Sequence, residues 1–431
     1  MKKIILLCTV VFTTAVATAQ VSWTEQNSAF TVPSTGINNL SIVDATTAWG
    51  VGYDGSATPA NYQTFTKTSN SGTSWTSGAI NLGNSALLIS DISAVSATTA
   101  WTIATPETGG AGGGVWKTTD GGANWAKQTT ATFNLSASFP NVVHFFDANN
   151  GFCQGDPTGT LFEIYTTSNG GTTWTKLTSA SVPAVQNANE YGYVHSKAYA
   201  GDNAWFGTST GRLYKTANKG ATWSVVSTPI SDFGGTASSG TFAIKDANNG
   251  WILASSGVVY KTIDGGTTWT TGSTLTQTNA ITYVPGTTGT LIAVGNGTGS
   301  SISYNGGTTW TSIENTNSYV SVRALNSATV WAGSFNTSAF AGGVYKLSAL
   351  LATKENQISN GMSIFPNPTS DILNIKTDEK IKSVEIFDMV GRKINAELID
   401  NKINVKELEA GSYILSVETA KGKSTEKFIK K

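Results

Sequence analysis

Thr262-Ile-Asp-Gly-Gly-Thr-Thr-Trp269 is the stretch on which the fold turns. It follows a β-rich run, Val258-Val-Tyr-Lys261, and it has five counterparts. These are Thr68-Ser-Asn-Ser-Gly-Thr-Ser-Trp75, Thr118-Thr-Asp-Gly-Gly-Ala-Asn-Trp125, Thr167-Ser-Asn-Gly-Gly-Thr-Thr-Trp174, Thr216-Ala-Asn-Lys-Gly-Ala-Thr-Trp223 and Ser303-Tyr-Asn-Gly-Gly-Thr-Thr-Trp310. The unit also leads into β-rich sequence, as in Trp223-Ser-Val-Val226. A Thr-x-Asp/Asn-x-Gly core between two such runs predicts a hairpin. The third position (Asn70, Asp120, Asn169, Asn218, Asp264, Asn305) is expected to accept a backbone N–H two residues on, while Gly supplies φ > 0. The closing ring (Trp75, Trp125, Trp174, Trp223, Trp269, Trp310) covers the hairpin and offers an indole donor. Four of the six copies carry Asn, so the unit needs no carboxylate. It reads as structural, not catalytic or metal-binding.

Successive closing tryptophans lie 50, 49, 49, 46 and 41 residues apart, a period of one propeller blade with about four short strands. A second repeat runs in phase with the first. Asp44-Ala-Thr-Thr-Ala-Trp-Gly-Val51 returns as Ser96-Ala-Thr-Thr-Ala-Trp101, Asp147-Ala-Asn-Asn-Gly-Phe152, Gly201-Asp-Asn-Ala-Trp205, Asp246-Ala-Asn-Asn-Gly-Trp251, a degenerate Gly286-Thr-Thr-Gly-Thr-Leu291, and Asn326-Ser-Ala-Thr-Val-Trp331. That makes seven copies against six hairpins. The last unit, Val320 to Lys346, ends before any Trp-bearing hairpin, whereas Trp23-Thr-Glu-Gln26 resembles Trp125-Ala-Lys-Gln128, a strand that follows one. The N-terminal segment is therefore expected to supply the outer strand of the last blade. The fold class expected is all-β: a seven-bladed β-propeller followed by a small antiparallel β-sandwich.

Composition divides the chain at the same place. Only 13% of the 431 residues are charged, with 27 basic against 27 acidic, about half the usual share. From Gln20 to Leu347 there are 12 Lys/Arg and 15 Asp/Glu; from Lys354 to Lys431 there are 13 and 12. A neutral chain with no basic stripe argues against nucleic acid as a partner. Two cysteines and two histidines leave little for a disulfide scaffold or a zinc site. Lys2-Lys3, an apolar stretch from Ile4 to about Ala17, and Ala17-Thr18-Ala19 form the pattern of a secretory signal peptide. No later apolar run is long enough to span a membrane. The organisation expected is a signal peptide over 1–19, the propeller over 20–348, a linker over 349–361 and a further domain over 362–431.

In that last segment, Tyr413, Leu415 and Val417 alternate with Ile414, Ser416 and Glu418, as in a half-buried strand. Ser363-Ile-Phe-Pro-Asn-Pro-Thr369, Val384-Glu-Ile-Phe-Asp-Met-Val-Gly391, Leu408-Glu-Ala-Gly-Ser-Tyr-Ile-Leu415 and Lys427-Phe-Ile-Lys-Lys431 resemble the type A C-terminal sorting domain of the type IX secretion system. That resemblance implies passage through the periplasm and outer membrane of a Bacteroidota-type bacterium, with the secretion machinery as partner and a secreted or cell-surface destination. The six hairpins resemble the Asp-box, or bacterial neuraminidase repeat. Within that class, His144-Phe-Phe-Asp-Ala-Asn-Asn-Gly-Phe152 and Gly155-Asp-Pro157 are similar to photosystem II assembly and stability factor-like propellers, a likeness of fold and not of task.

Asp-box propellers include sialidases, which grip a substrate carboxylate with three arginines. The propeller holds only Arg212 and Arg323, so sialidase activity is not expected. Xyloglucan hydrolases place paired acids between two propellers, and this chain has one. Loop acids in the insertions (Asp54, Glu107, Asp156, Glu163, Glu190, Asp232) leave open a glycoside hydrolase using a carboxylate pair. The loop Asn187-Ala-Asn-Glu-Tyr-Gly-Tyr-Val-His195 offers Glu190, Tyr191, Tyr193 and His195 as a stacking and hydrogen-bonding surface, with Asp156 a further candidate. No catalytic, cofactor-binding or metal-binding residues are expected. The leading expectation is a non-catalytic propeller that binds a protein or glycan; the alternatives are a carbohydrate-active enzyme and a structural or adhesive surface protein.

Overall fold

The computed structural model describes residues 21–56, 60–234, 240–348, 350, 363–377, 379–388, 392–419 and 422–431. The expected signal peptide over 1–19 lies outside the described residues, as does the expected linker apart from Leu350. All regular structure among the described residues is β-strand. Two compact units emerge, one to Leu350 and one from Leu351. Leu350 belongs to the first, buried among the side chains of its last blades.

The first unit is a ring of seven four-stranded antiparallel blades; five are separate sheets, and blades 7 and 1 join into one eight-stranded sheet through the single pair Gly36↔Phe335. The inner strands, in ring order, are Thr35–Ile42, Leu87–Ala94, Pro140–Phe145, Gly192–Ala200, Gly240–Ile244, Ala280–Tyr283 and Ser321–Asn326. Within each blade the second repeat forms the turn between the first and second strands. Its aromatic residue then drops into the core between blades, and Trp49, Trp101, Trp205 and Trp331 are all fully buried. At about 25 cal/mol/Å² each such ring contributes roughly 4–6 kcal/mol of transfer free energy.

The ring closes between its ends. Trp23–Asn27 pairs antiparallel with Ala341–Leu347, in the register Trp23↔Leu347 to Asn27↔Gly343. The N-terminal strand thus completes blade 7 as the repeat count implies. Gln26 fastens it further: its Oε1 accepts the indole N–H of Trp75 at 2.9 Å and that of Trp331 at 3.3 Å.

The hairpins follow one scheme six times, and it corrects the expected Asx turn. The side-chain oxygen at position 3 accepts the N–H four residues on, not two; Asn70 Oδ1 takes Ser74 N–H at 3.0 Å and Asp264 Oδ1 takes Thr268 N–H at 2.9 Å. The reason is that positions 4 and 5 are both left-handed, as in Gly121 (φ 79°) and Gly122 (φ 93°). This turns the N–H of position 5 onto the position 1 hydroxyl, with Gly122 N–H donating to Thr118 Oγ1 at 2.9 Å. Asn and Asp are interchangeable because position 7 adapts. Asn169 Nδ2 donates to Thr173 Oγ1, whereas Asp264 Oδ2 accepts from Thr268 Oγ1.

Each hairpin also docks on the first turn of its own blade, as Gly121 N–H does on Thr98 O and Gly306 N–H on Gly289 O. The degenerate copy at Gly286 therefore performs the same task as the regular ones. A lysine on the third strand links neighbouring blades. Lys67 and Lys117 lie 4.6 and 4.9 Å over the Trp49 and Trp101 rings of their own blades. They donate to Gly121 O and Gly170 O in the next hairpin, both at 2.9 Å. Lys346 repeats this across the closure, over Trp331 and onto Ser71 O of blade 1.

The second unit has two four-stranded sheets, one built on Ile372–Lys376 and the other on Ile381–Asp388, Gly411–Thr419 and Gly422–Lys430. Leu373, Ile386, Ile403, Leu415, Val417 and Phe428 fill the space between them, a small β-sandwich.

Candidate functional site

In a four-stranded antiparallel blade, the first turn and the hairpin share one end, so the longer connections share the other. The five candidate residues all belong to that second face, but the structure distributes them between two places. Asp156, Glu190 and Tyr191 line a surface pocket of about 370 Å³. Tyr193 and His195 line a separate cavity of about 320 Å³ at the mouth of the central channel.

Glu190 is not free for chemistry. Its side chain is fully buried against the Arg212 guanidinium, which donates from Nε at 3.0 Å and again from a second nitrogen. Thr208, Thr210 and Gln186 N–H also donate to it. Burial alone would raise its pKa, but these donors outweigh it and hold the carboxyl below its ordinary range. Glu163, expected in an insertion, instead sits on the strand Phe162–Thr167, fully buried and held by Lys176, Ser138 and Tyr165. Asp232 accepts from Tyr193 Oη at 2.6 Å, and Asp54 caps Ser56 and Ala60 N–H. Glu107 stands exposed in a turn.

Asp156 is different. It also lies on a strand, Gly151–Pro157, and burial pushes its carboxyl up to about 6 despite donors from Gly192 N–H and Asn141 Nδ2. Asn141 Oδ1 and Gln154 Oε1 nearby are buried without a protein partner. Tyr191 is exposed and packs edge-on against Tyr193, with ring centroids 5.3 Å apart.

The channel holds a polar assembly that no motif announced. Asp91 of blade 2 is completely buried and accepts from Asn39 of blade 1, Ile92 N–H, Val143 N–H and Lys197 of blade 4. Lys197 Nζ gives its three hydrogens to Asp91 Oδ2 at 2.6 Å, Ile92 O at 3.1 Å and Val143 O at 2.6 Å. Four blades are thereby tied to one ion pair. Arg323 of blade 7 donates to Lys197 O at 2.8 Å and lies over the Tyr199 ring. His144 stacks on the same tyrosine, 4.1 Å from ring to ring. Burial, then Lys197 and Arg323, push His195 down to about 4 and His144 down as well, so both rings are neutral at pH 7. Cys153 is buried, and burial raises its thiol pKa. The described residues contain no group of three or more His, Cys, Asp and Glu able to hold a metal ion. Among the described residues no helix is long and apolar enough to cross a membrane.

Residues 363–431 match the model of the secretion system C-terminal sorting domain. Among solved structures, the chain is similar to YCF48 from Cyanidioschyzon merolae, at 15% identity and a TM-score of 0.54, over 76% of this chain and 99% of that one. It also aligns with YCF48 bound to D1 peptide (13% identity, TM-score 0.49, 78% and 98% covered). A third alignment is with the GH74 enzyme of Niastella koreensis (17% identity, TM-score 0.28, 91% and 69% covered). A comparison with curated protein sequences returned no match. The first of these likenesses bears on the propeller fold alone. The sorting domain marks the chain for export by the type IX system, secreted or held at the cell surface.

Proposed function

We propose that this exported propeller is a non-catalytic binding protein that engages a protein or glycan through the face bearing its longer connections. The observation that supports this is the commitment of the acids on that face. Glycoside hydrolysis needs two carboxyl groups across a space that admits the substrate bond. Here Glu190 and Glu163 are each closed off by a cation and several donors, and Asp232 is taken by a tyrosine. Exposed Tyr191, by contrast, offers a flat amphipathic ring of the kind that contributes heavily at interfaces.

A carbohydrate-active reading has one observation in its favour: Asp156, with a pKa of about 6, is suited to donate a proton near neutrality. The full chain assayed on a glycan array and in surface-protein pull-downs, beside a polysaccharide panel, separates the two. Saturable binding without hydrolysis, weakened by Tyr191→Ala, supports the binding protein. Hydrolysis abolished by Asp156→Asn refutes it. The hairpins are read as Asp-boxes and residues 1–19 as a signal peptide, in a Bacteroidota-type cell. On that reading, a chain lacking 362–431 stays in the periplasm; its appearance at the surface would overturn the assignment.

A further inference from the structure

We propose that the mouth of the central channel around Arg323 is a binding site for a small organic monocarboxylate. The site is independent of whether the surrounding face binds a macromolecule. Arg323 reaches both the 320 Å³ cavity on the connection face and a second cavity of about 540 Å³ on the hairpin side, and so stands between the two. Lys197 and Asp91 contribute no net charge as a pair, and every Lys197 hydrogen is already used. Arg323 is the charge left over. No carboxylate lies within ion-pair distance of it among the described residues, and no Asp or Glu lines the cavity on the connection face.

A guanidinium presents a planar fork matched to a carboxylate, and a single uncompensated positive charge matches a monoanion. A phosphate dianion would leave one negative charge uncompensated by the site. The remaining walls suit the organic part of such a ligand. Phe233 and Phe242, both buried, line it together with Val320 and Val322. His195 is set into the cavity by a break in strand register between Gly192 and Lys197, with φ at 48°. Strain of this kind in a non-glycine residue clusters at ligand sites. The His195 ring is neutral and adds no charge to the wall, and the Asn38 amide supplies a hydrogen-bond donor. At roughly 30 Å³ per water-sized volume, the cavity holds about ten non-hydrogen atoms.

The test is calorimetric titration of the full chain with benzoate, its neutral counterpart benzamide, and inorganic phosphate. The expected result is saturable benzoate binding at one site per chain, with benzamide and phosphate at least about tenfold weaker. Arg323→Gln should lower benzoate affinity about tenfold or more, equivalent to about 1.4 kcal/mol. Asn38→Asp keeps the arginine but places a negative charge in the same cavity, and should weaken benzoate and spare benzamide. It decides the matter should Arg323→Gln fail to fold, as judged by tryptophan fluorescence. Absence of saturation with benzoate, equal binding of benzamide, tighter binding of phosphate, or unchanged affinity in the folded variants would each overturn the proposal.

Discussion

Replacing Gln26 with Leu puts the ring closure to a quantitative test. The amide oxygen of this one residue accepts two indole N–H groups, from Trp75 in blade 1 and Trp331 in blade 7. Both rings are buried, with Trp331 completely so. Leucine preserves side-chain bulk and removes both acceptors. An unsatisfied buried donor costs about 1–3 kcal/mol. Both bonds are only partly shielded, and the protein already carries Trp101, Trp125 and Trp174 indoles with no protein partner, so about 1–1.5 kcal/mol applies to each. The total expected is about 2–3 kcal/mol. With an unfolding entropy of about 2.1 cal/mol/K per residue, a propeller of some 330 residues loses roughly 1.4 °C per kcal/mol, giving a fall in Tm of about 3–4 °C by calorimetry. Gln26→Glu retains an acceptor and should melt within about 1 °C of the parent. Equal melting of the leucine variant and the parent, or equal damage from both substitutions, would show that the two indole bonds do not hold the closure.

Thr262→Val should cost about 1–2 kcal/mol in chemical denaturation, because Gly266 N–H and the Asp264 carboxylate both lose their partner in Thr262 Oγ1. Asp264→Asn in the same hairpin should change stability by less than about 0.5 kcal/mol, since Asn serves at four of the six sites. Lys197→Met strands the buried Asp91 carboxylate and should destabilise by about 3–5 kcal/mol; a loss below about 1 kcal/mol would mean the pair is dispensable. The Asp156 carboxyl titrates near 6 when folded, against 3.8 ordinarily, so the folded chain binds the extra proton between those values. Its contribution is fully present below about pH 4 and is lost as pH rises through 6, by up to about 2–3 kcal/mol. Asp156→Asn should flatten that part of the stability profile; an unchanged slope between pH 4 and 6 would contradict the shift.

What was legible in the sequence was whatever repeats. The blade count and the pairing of Trp23-Thr-Glu-Gln26 with the last blade follow from aligning seven turns against six hairpins. The lysine links were also within reach, since Lys67, Lys117, Lys215 and Lys261 each immediately precede the hairpin Thr. The Asx geometry is not legible in the same way, because the reach of the position 3 oxygen depends on two successive left-handed residues, and composition indicates only that glycine is common there. The channel assembly was invisible for a different reason. Asn39, Asp91, Lys197 and Arg323 stand on four different inner strands and share no spacing, so only ring closure brings them together. Likewise, Glu190 reads as an available acid in the sequence, because the Arg212 that closes it off lies 22 residues away.

The pairing of Trp23–Asn27 with Ala341–Leu347 makes completeness of the chain a condition of stability. A polypeptide interrupted anywhere before Leu347 leaves its first strand as an unpaired edge, open to proteases and to foreign strands. Bringing ends some 320 residues apart together costs about 5 kcal/mol in loop closure before any contact between them repays it, so this joint is among the last to form. The closure thus works as a checksum on the propeller: only a chain read through to its final blade can shield its own beginning.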